Sequence, residues 1–328
     1  MTMALQDIEA AAARLEPVII RTPLLTSPAL DAAVSGSVLI KPECLQLTGS
    51  FKIRGAYNRL CQLDREQRPR GAVAWSSGNH AQGVAAAGAM LGIETTIVMP
   101  EDAPRAKIES TRRLGGRTVL YDRYTGDREA IAREIAAETG AQLVPSFDHT
   151  DVIAGQGTVG LEIVQQGREA GIEPDQVLIP CGGGGLSSGT AIAISALSPG
   201  TDVYVVEPED FDDTARSFES GEREMNDPAA RSICDALLSE RPGAITFAIN
   251  RNLIKAGLVV SDDEVREAMR FAFRNLKLVV EPGGAVALAA ILSGKVQAAD
   301  RISVVVLSGG NVDAEVYASI QTAGSDTA

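Results

Sequence analysis

Six lysines occur in this chain, and one of them, Lys52, stands in LTGSFKIRGAYN (residues 47–58), behind a Thr-Gly-Ser turn and beside Phe51. A lysine amine can attack an aldehyde or carry a proton, provided that burial keeps it from being permanently charged. A second feature lies far along the chain. In VLIPCGGGGLSSGTAIAISAL (177–197) an apolar run meets four successive glycines, Gly182, Gly183, Gly184 and Gly185, and a helical pattern follows. Glycine lets a backbone approach a ligand closely, and a helix N-terminus carries about half a positive charge, so this turn suits a phosphate.

A phosphate site leaves two cofactors open. The run G-x-G-x-x-S is close to a dinucleotide fingerprint, and Glu207 ends the next strand where a ribose-binding acid is expected, the pattern of an NAD-dependent dehydrogenase. Serine stands in place of that fingerprint's third glycine. Pyridoxal phosphate asks instead for a lysine amine, a phosphate cup, a partner for the ring nitrogen and a substrate carboxylate site. The chain offers each. Ser308 ends the apolar run in VVVLSGGN, and WSSGNHAQG (75–83) supplies Ser76, Ser77, Asn79 and backbone N–H groups for a carboxylate.

Short β-branched runs alternate with alanine-rich segments. Strands are expected at 38–43, 71–75, 95–100, 118–122, 177–180, 203–207 and 302–307. Helices are expected from about residue 54 and at 79–92, 104–115, 127–140, 157–170, 186–197 and 262–276, with Gly140 as a C-cap. This order predicts an α/β protein of two domains, each a mainly parallel twisted sheet with helices on both faces. The net charge of −13, from 30 basic and 43 acidic residues, argues against nucleic acid and an anionic membrane as partners. The N-terminus carries Asp7 and Glu9 where a signal peptide needs an apolar core, and no apolar run reaches membrane length, so a cytoplasmic location is expected. Four widely spaced cysteines and two histidines predict reduced thiols and no zinc site.

Taken together, TGSFKIRGA, SSGNHAQGVA, VIAGQGT, CGGGGLSSG, EPGGAVALA and LSGGN resemble the fold-type II pyridoxal-phosphate enzymes, in the threonine/serine dehydratase and serine racemase branch. The resemblance runs from residue 21 to about residue 313 and implies a tryptophan-synthase-β-like fold. It implies a Schiff base to Lys52, ring packing by Phe51, a phosphate site at Gly182–Gly185, a ring hydroxyl on Asn79 and a ring nitrogen on Ser308. The segment Ser76, Ser77, Gly78, Asn79 and His80 would hold the substrate carboxylate, and Glu281 would play a supporting role near the cofactor. Residues 1–49 and 147–328 would form a large cofactor-binding domain, and 50–146 a small mobile one.

The activity so implied is an ammonia-lyase reaction, loss of water from L-threonine or L-serine to give a 2-oxo acid and ammonia. Amino-acid racemisation is the neighbouring reading, because Ser77 stands where racemases carry an acid/base on the face opposite Lys52. A larger substrate such as 3-hydroxyaspartate, phenylserine or an ectoine-derived amino acid stays open, since Ala236 replaces the family's glycine in SICDALLSERPG (232–243) and Arg128 could meet a second carboxylate. Glu207, the Phe211 carbonyl and Asp213 fall at the spacing of the branch's divalent-cation site, and such hard oxygen ligands suit Mg²⁺ or Ca²⁺. A homodimer or tetramer and a catabolic role without a regulatory domain complete these expectations.

Overall fold

The alternation read from the sequence resolves into two sheets in the computed structural model, which describes residues 3–103 and 105–323. Strands β1 (Leu25–Thr26) and β2 (Ser37–Pro42) begin the first sheet. The chain then leaves to build a second from β3 (Ala72–Trp75), β4 (Thr95–Pro100), β5 (Arg117–Tyr121) and β6 (Gln142–Leu143). It returns with β7 (Gln176–Pro180), β8 (Asp202–Pro208), β9 (Ala256–Val260) and β10 (Ile302–Leu307). The six-stranded order is β1-β2-β10-β7-β8-β9, parallel except for β1 against β2, and the four-stranded order is β5-β4-β3-β6, all parallel. Every residue of β7 is buried, as are five of six in β10, because helices cover both faces of the sheet.

The covering helices are α1 (Leu5–Leu15), α2 (Pro28–Val34), α3 (Lys52–Leu60), α4 (Asn79–Leu91), α5 (Arg105–Arg113), α6 (Arg128–Thr139) and α7 (Thr150–Ala170). After them come α8 (Gly185–Leu197), α9 (Asp213–Ser220), α10 (Ala244–Leu253), α11 (Asp262–Phe271), α12 (Pro282–Leu292) and α13 (Ala314–Thr322). None is long and apolar enough to cross a membrane among the described residues. Gly140 ends α6 in the left-handed region, as its spacing predicts.

Two expectations shift. The helix expected from 157 begins at Thr150, because His149 Nδ1 accepts the Asp151 N–H and the glycines of VIAGQGT lie inside the helix. A Cβ on Gly155 would stand 2.5 Å from the Arg54 carbonyl oxygen, and one on Gly157 would stand 2.8 Å from that of Gly189. These glycines let α3 and α8 pack directly onto α7, which a side chain would forbid. The helix expected over 262–276 keeps regular α geometry only to Phe271 and closes in a π turn over Ala272–Leu276.

Candidate active site

Lys52 opens α3, and the turn before it is stitched to the loop after β10. Thr48 and Gly49 both take positive φ, +62° and +72°, which swings the chain sharply toward that loop. The Asn311 amide donates to the Thr48 carbonyl (2.7 Å), Gly310 N–H to the Gly49 carbonyl (2.9 Å) and Phe51 N–H to the Ser308 carbonyl (3.2 Å). A lone bridge pairs Ser50 with Gly309. These bonds place Lys52 beside buried Ser308, 256 residues away in sequence by difference of their numbers. The Lys52 amine lies 5.2 Å from the Phe51 ring centroid and donates to the Ser146 carbonyl at 2.9 Å. Burial pushes its pKa down to about 8 against the opposing pull of Glu281.

The contact with Ser146 leads to the glycine turn. Gln156 also donates to the Ser146 carbonyl (3.4 Å), and its Oε1 is buried without a partner, 2.4 Å from where a Cβ on Gly185 would stand. A Cβ on Gly183 would fall 2.3 Å from atoms of the Phe147 ring, so any side chain there would displace that ring. Gly184 takes φ +91° as the residue before α8. The N–H groups of Gly182, Gly183 and Gly184 donate to no acceptor among the described residues, and the first N–H groups of α8 have none within their own helix. A row of free donors at the positive end of a thirteen-residue helix suits an anion.

From the other sheet, Asn79 opens α4 after β3. Its amide donates to Glu281 Oε1 at 2.6 Å, and its carbonyl oxygen accepts from Asn311 at 2.7 Å. Burial raises the Glu281 pKa to about 8, Asp235 adds to that rise, and the Asn79 hydrogen bond works against it. His80 Nε2 lies 2.8 Å from the Val144 carbonyl, which makes it the N–H donor and leaves buried Nδ1 unpartnered. Burial and Lys52 push its pKa down to about 3, so the ring is neutral. Ser76 Oγ accepts the Gly78 N–H (3.2 Å), and Ser77 is half-buried in the same turn.

The remaining sequence candidates stand apart. Arg128 is exposed on the first turn of α6 and makes no ion pair among the described residues. Glu207, at the end of β8, accepts the N–H groups of Thr214 (3.1 Å) and Ala215 (2.9 Å) at the start of α9. Asp213 accepts from Asn226 (2.6 Å), yet its Oδ2 is buried and unpartnered. Burial raises both carboxyls, Asp213 to about 7, and the Asp213 charge raises Glu207 further. No cluster of three or more His, Cys, Asp or Glu could hold a metal among the described residues.

A sequence model of pyridoxal-phosphate dependent enzymes matches residues 15–309. The chain belongs to that family. It is 47% identical over 314 residues to an L-threo-3-hydroxyaspartate ammonia-lyase of Pseudomonas sp, covering 96% of this chain and 97% of the relative. It is 39% identical to a serine racemase of Schizosaccharomyces pombe, covering 95% of each. Among solved structures, a T.th. threonine deaminase superposes with a TM-score of 0.90 at 44% identity, covering 95% of this chain and 99% of that one. The fold is that of the fold-type II enzymes.

As a member of this family the chain has residues that fit the cofactor. Free donors over Gly182–Gly184 suit its phosphate, the partly neutral Lys52 amine suits its aldehyde, and buried Ser308 offers an uncharged partner for the ring nitrogen. The dinucleotide reading falls with the assignment, since Glu207 is buried against the start of α9. The orphaned Asp213 oxygen beside the buried Glu207 carboxyl fits a hard cation. Sequence reasoning missed Ser146, Phe147, Gln156 and Asn311. Asn311 sits inside the conspicuous motif LSGGN and was within reach; Ser146 works through its backbone carbonyl, which leaves no mark on residue type.

Proposed function

We propose that this protein is an ammonia-lyase that removes water from β-hydroxy amino acids, the dehydrated product then taking up water to release a 2-oxo acid and ammonia. The observation that carries this reading is the stitching of residues 48–51 to 308–311, which brings Lys52, Ser308 and the Asn79–Glu281 pair around one site. Pyridoxal phosphate, when bound, supplies an aldehyde for the substrate amine and an electron sink for the bond broken at Cα. Lys52, its pKa lowered to about 8, is the base for the Cα proton. Ser76, Ser77, Gly78, Asn79 and His80 hold the substrate carboxylate through N–H and hydroxyl donors, and a neutral His80 adds no charge that would trap it. Ser77 is the proton carrier for the opposite face, which makes racemisation a side reaction.

Residues 50–146 act as a small mobile domain closing over substrate, and 1–49 with 147–328 as the large cofactor-binding domain. Glu207, Phe211 and Asp213 bind Mg²⁺ or Ca²⁺, and the protein works in the cytoplasm as a homodimer or tetramer. The names of the relatives, hydroxyaspartate and threonine ammonia-lyases and serine racemases, support L-threo-3-hydroxyaspartate beside L-threonine and L-serine as substrates. The test is 2-oxo acid release from these three by the cofactor-loaded protein, with chiral analysis of unreacted substrate. Lys52→Ala should lower turnover by about 10²–10⁴-fold or more and remove the visible absorbance that borohydride bleaches in the wild type. Undiminished turnover in that variant overturns the proposal.

A further inference from the structure

One charged pair at the rim of the site takes no part in the chemistry above. Asp235 opens the tight turn Asp235–Leu237, which packs against two walls of the site. A Cβ on Gly283, in the first turn of α12 beside Glu281, would stand 3.1 Å from both Ala236 Cβ and Leu237 Cγ. A Cβ on Gly182 would stand 3.2 Å from Leu237 Cα. From the other sheet, Lys107 on α5 donates to Asp235 Oδ2 at 2.6 Å. Among the described residues this is the single ion pair joining residues 72–143 to the rest of the chain. Both charges act on the Glu281 carboxyl, Asp235 raising its pKa and Lys107 lowering it, so the pair lies within electrostatic reach of the site.

The two partners differ in exposure. The Lys107 side chain is 16% exposed and that of Asp235 is 53% exposed. Asp235 can therefore return to water at small cost, whereas Lys107 cannot give up a carboxylate without replacing it. A substrate carrying a carboxylate at its far end is such a replacement. Arg128, the cation singled out from sequence, is exposed on α6 and makes no ion pair with the turn or with α12 among the described residues.

We propose that Lys107 is the residue that selects acidic β-hydroxy amino acids, by receiving their distal carboxylate in exchange for Asp235. The inference rests on the ammonia-lyase reading and names its substrate class. Neutral substrates leave the ion pair intact and are indifferent to it.

The test compares the cofactor-loaded wild type with Lys107→Gln, Lys107→Arg and Asp235→Asn. Turnover is followed on L-threo-3-hydroxyaspartate and L-serine, and calorimetry measures binding of succinate and butyrate, four-carbon acids with two carboxylates and one. Lys107→Gln should raise KM for the acidic substrate and Kd for succinate by about 10–100-fold, while L-serine and butyrate change by less than about threefold. Lys107→Arg should keep the preference. Asp235→Asn, which removes the competitor, should tighten succinate and leave butyrate alone. Equal losses on acidic and neutral ligands, or an unchanged preference in Lys107→Gln, overturn the proposal by reducing the pair to a structural tie. Should Lys107→Gln not fold, the response of Asp235→Asn to succinate decides. Absence of turnover on every hydroxy amino acid would sink the lyase reading, and the succinate-to-butyrate ratio would still judge Lys107.

Discussion

At the scale of single residues, the chemistry turns on how far burial has moved Lys52. Its pKa of about 8 comes from desolvation, with Glu281 resisting the shift. Only the unprotonated amine condenses with an aldehyde, so cofactor uptake by the apoprotein should speed up with pH and level off above about pH 8. Glu281→Gln should move that midpoint lower, since the carboxylate holds the lysine pKa up. The measurement is the growth rate of visible absorbance at fixed cofactor concentration. A midpoint above about pH 10, the range of an ordinary lysine, would contradict the assigned environment. His80 adds no second step near neutrality, because its pKa lies at about 3. Lys52, Asn79, Ser308 and the glycines could be singled out in the sequence, since each carries a residue type suited to the role proposed for it. Ser146 and Gln156 could not, because a carbonyl and a packing amide serve there equally from many sequences.

At the scale of elements, what holds Lys52 steady is a buried charge network on its own helix. Arg54, two positions on, is fully buried and donates to Glu43 Oε2 (2.7 Å), Glu162 Oε1 (2.6 Å) and Thr158 (3.0 Å). Lys41 on β2 closes the set by donating to Glu162 (2.6 Å) and the Thr22 carbonyl (2.6 Å). Two cations and two carboxylates thus fasten α3 to β2 and α7, while Gly55 and Gly155 let the helices touch. Removing one member leaves buried charge uncompensated. Arg54→Met should cost about 3–5 kcal/mol in urea unfolding and weaken cofactor retention with it. A loss under about 1 kcal/mol would mean that the network contributes little. The motif FKIRGA displayed the arginine, but nothing local told that it faces inward toward Glu43 and Glu162 rather than outward to water.

At the scale of the whole molecule, two ties cross the seam between the sheets near the site, the Asn79–Glu281–Asn311 set and the Lys107–Asp235 pair. A third feature, at the end of β8, governs stability more broadly. Burial raises the carboxyls of Glu207 and Asp213, the latter to about 7, above their range in an unfolded chain. Between about pH 4 and pH 7 the folded state thus holds protons that the unfolded state has released, and stability falls as pH rises through this window. A divalent cation bound at this pair would take the place of the lost protons. In chelator the Tm should therefore drop from about pH 5 to about pH 8, and added Mg²⁺ or Ca²⁺ should restore it at the higher pH far more than at the lower. A Tm indifferent to cation at both pH values would remove the site.

The sequence by itself determined the parallel α/β order, the lysine, the glycine turn and the serine at the strand end, since periodicity and residue type record burial and local chemistry. Tertiary structure alone decided that the glycines of VIAGQGT join helices, that Glu207 and Asp213 share buried charge, and that Lys107 meets Asp235. Each of these depends on which distant segments the fold packs together. Residues 107 and 235 pair because a helix and a distant turn converge on one rim, and no periodicity in either segment encodes that meeting.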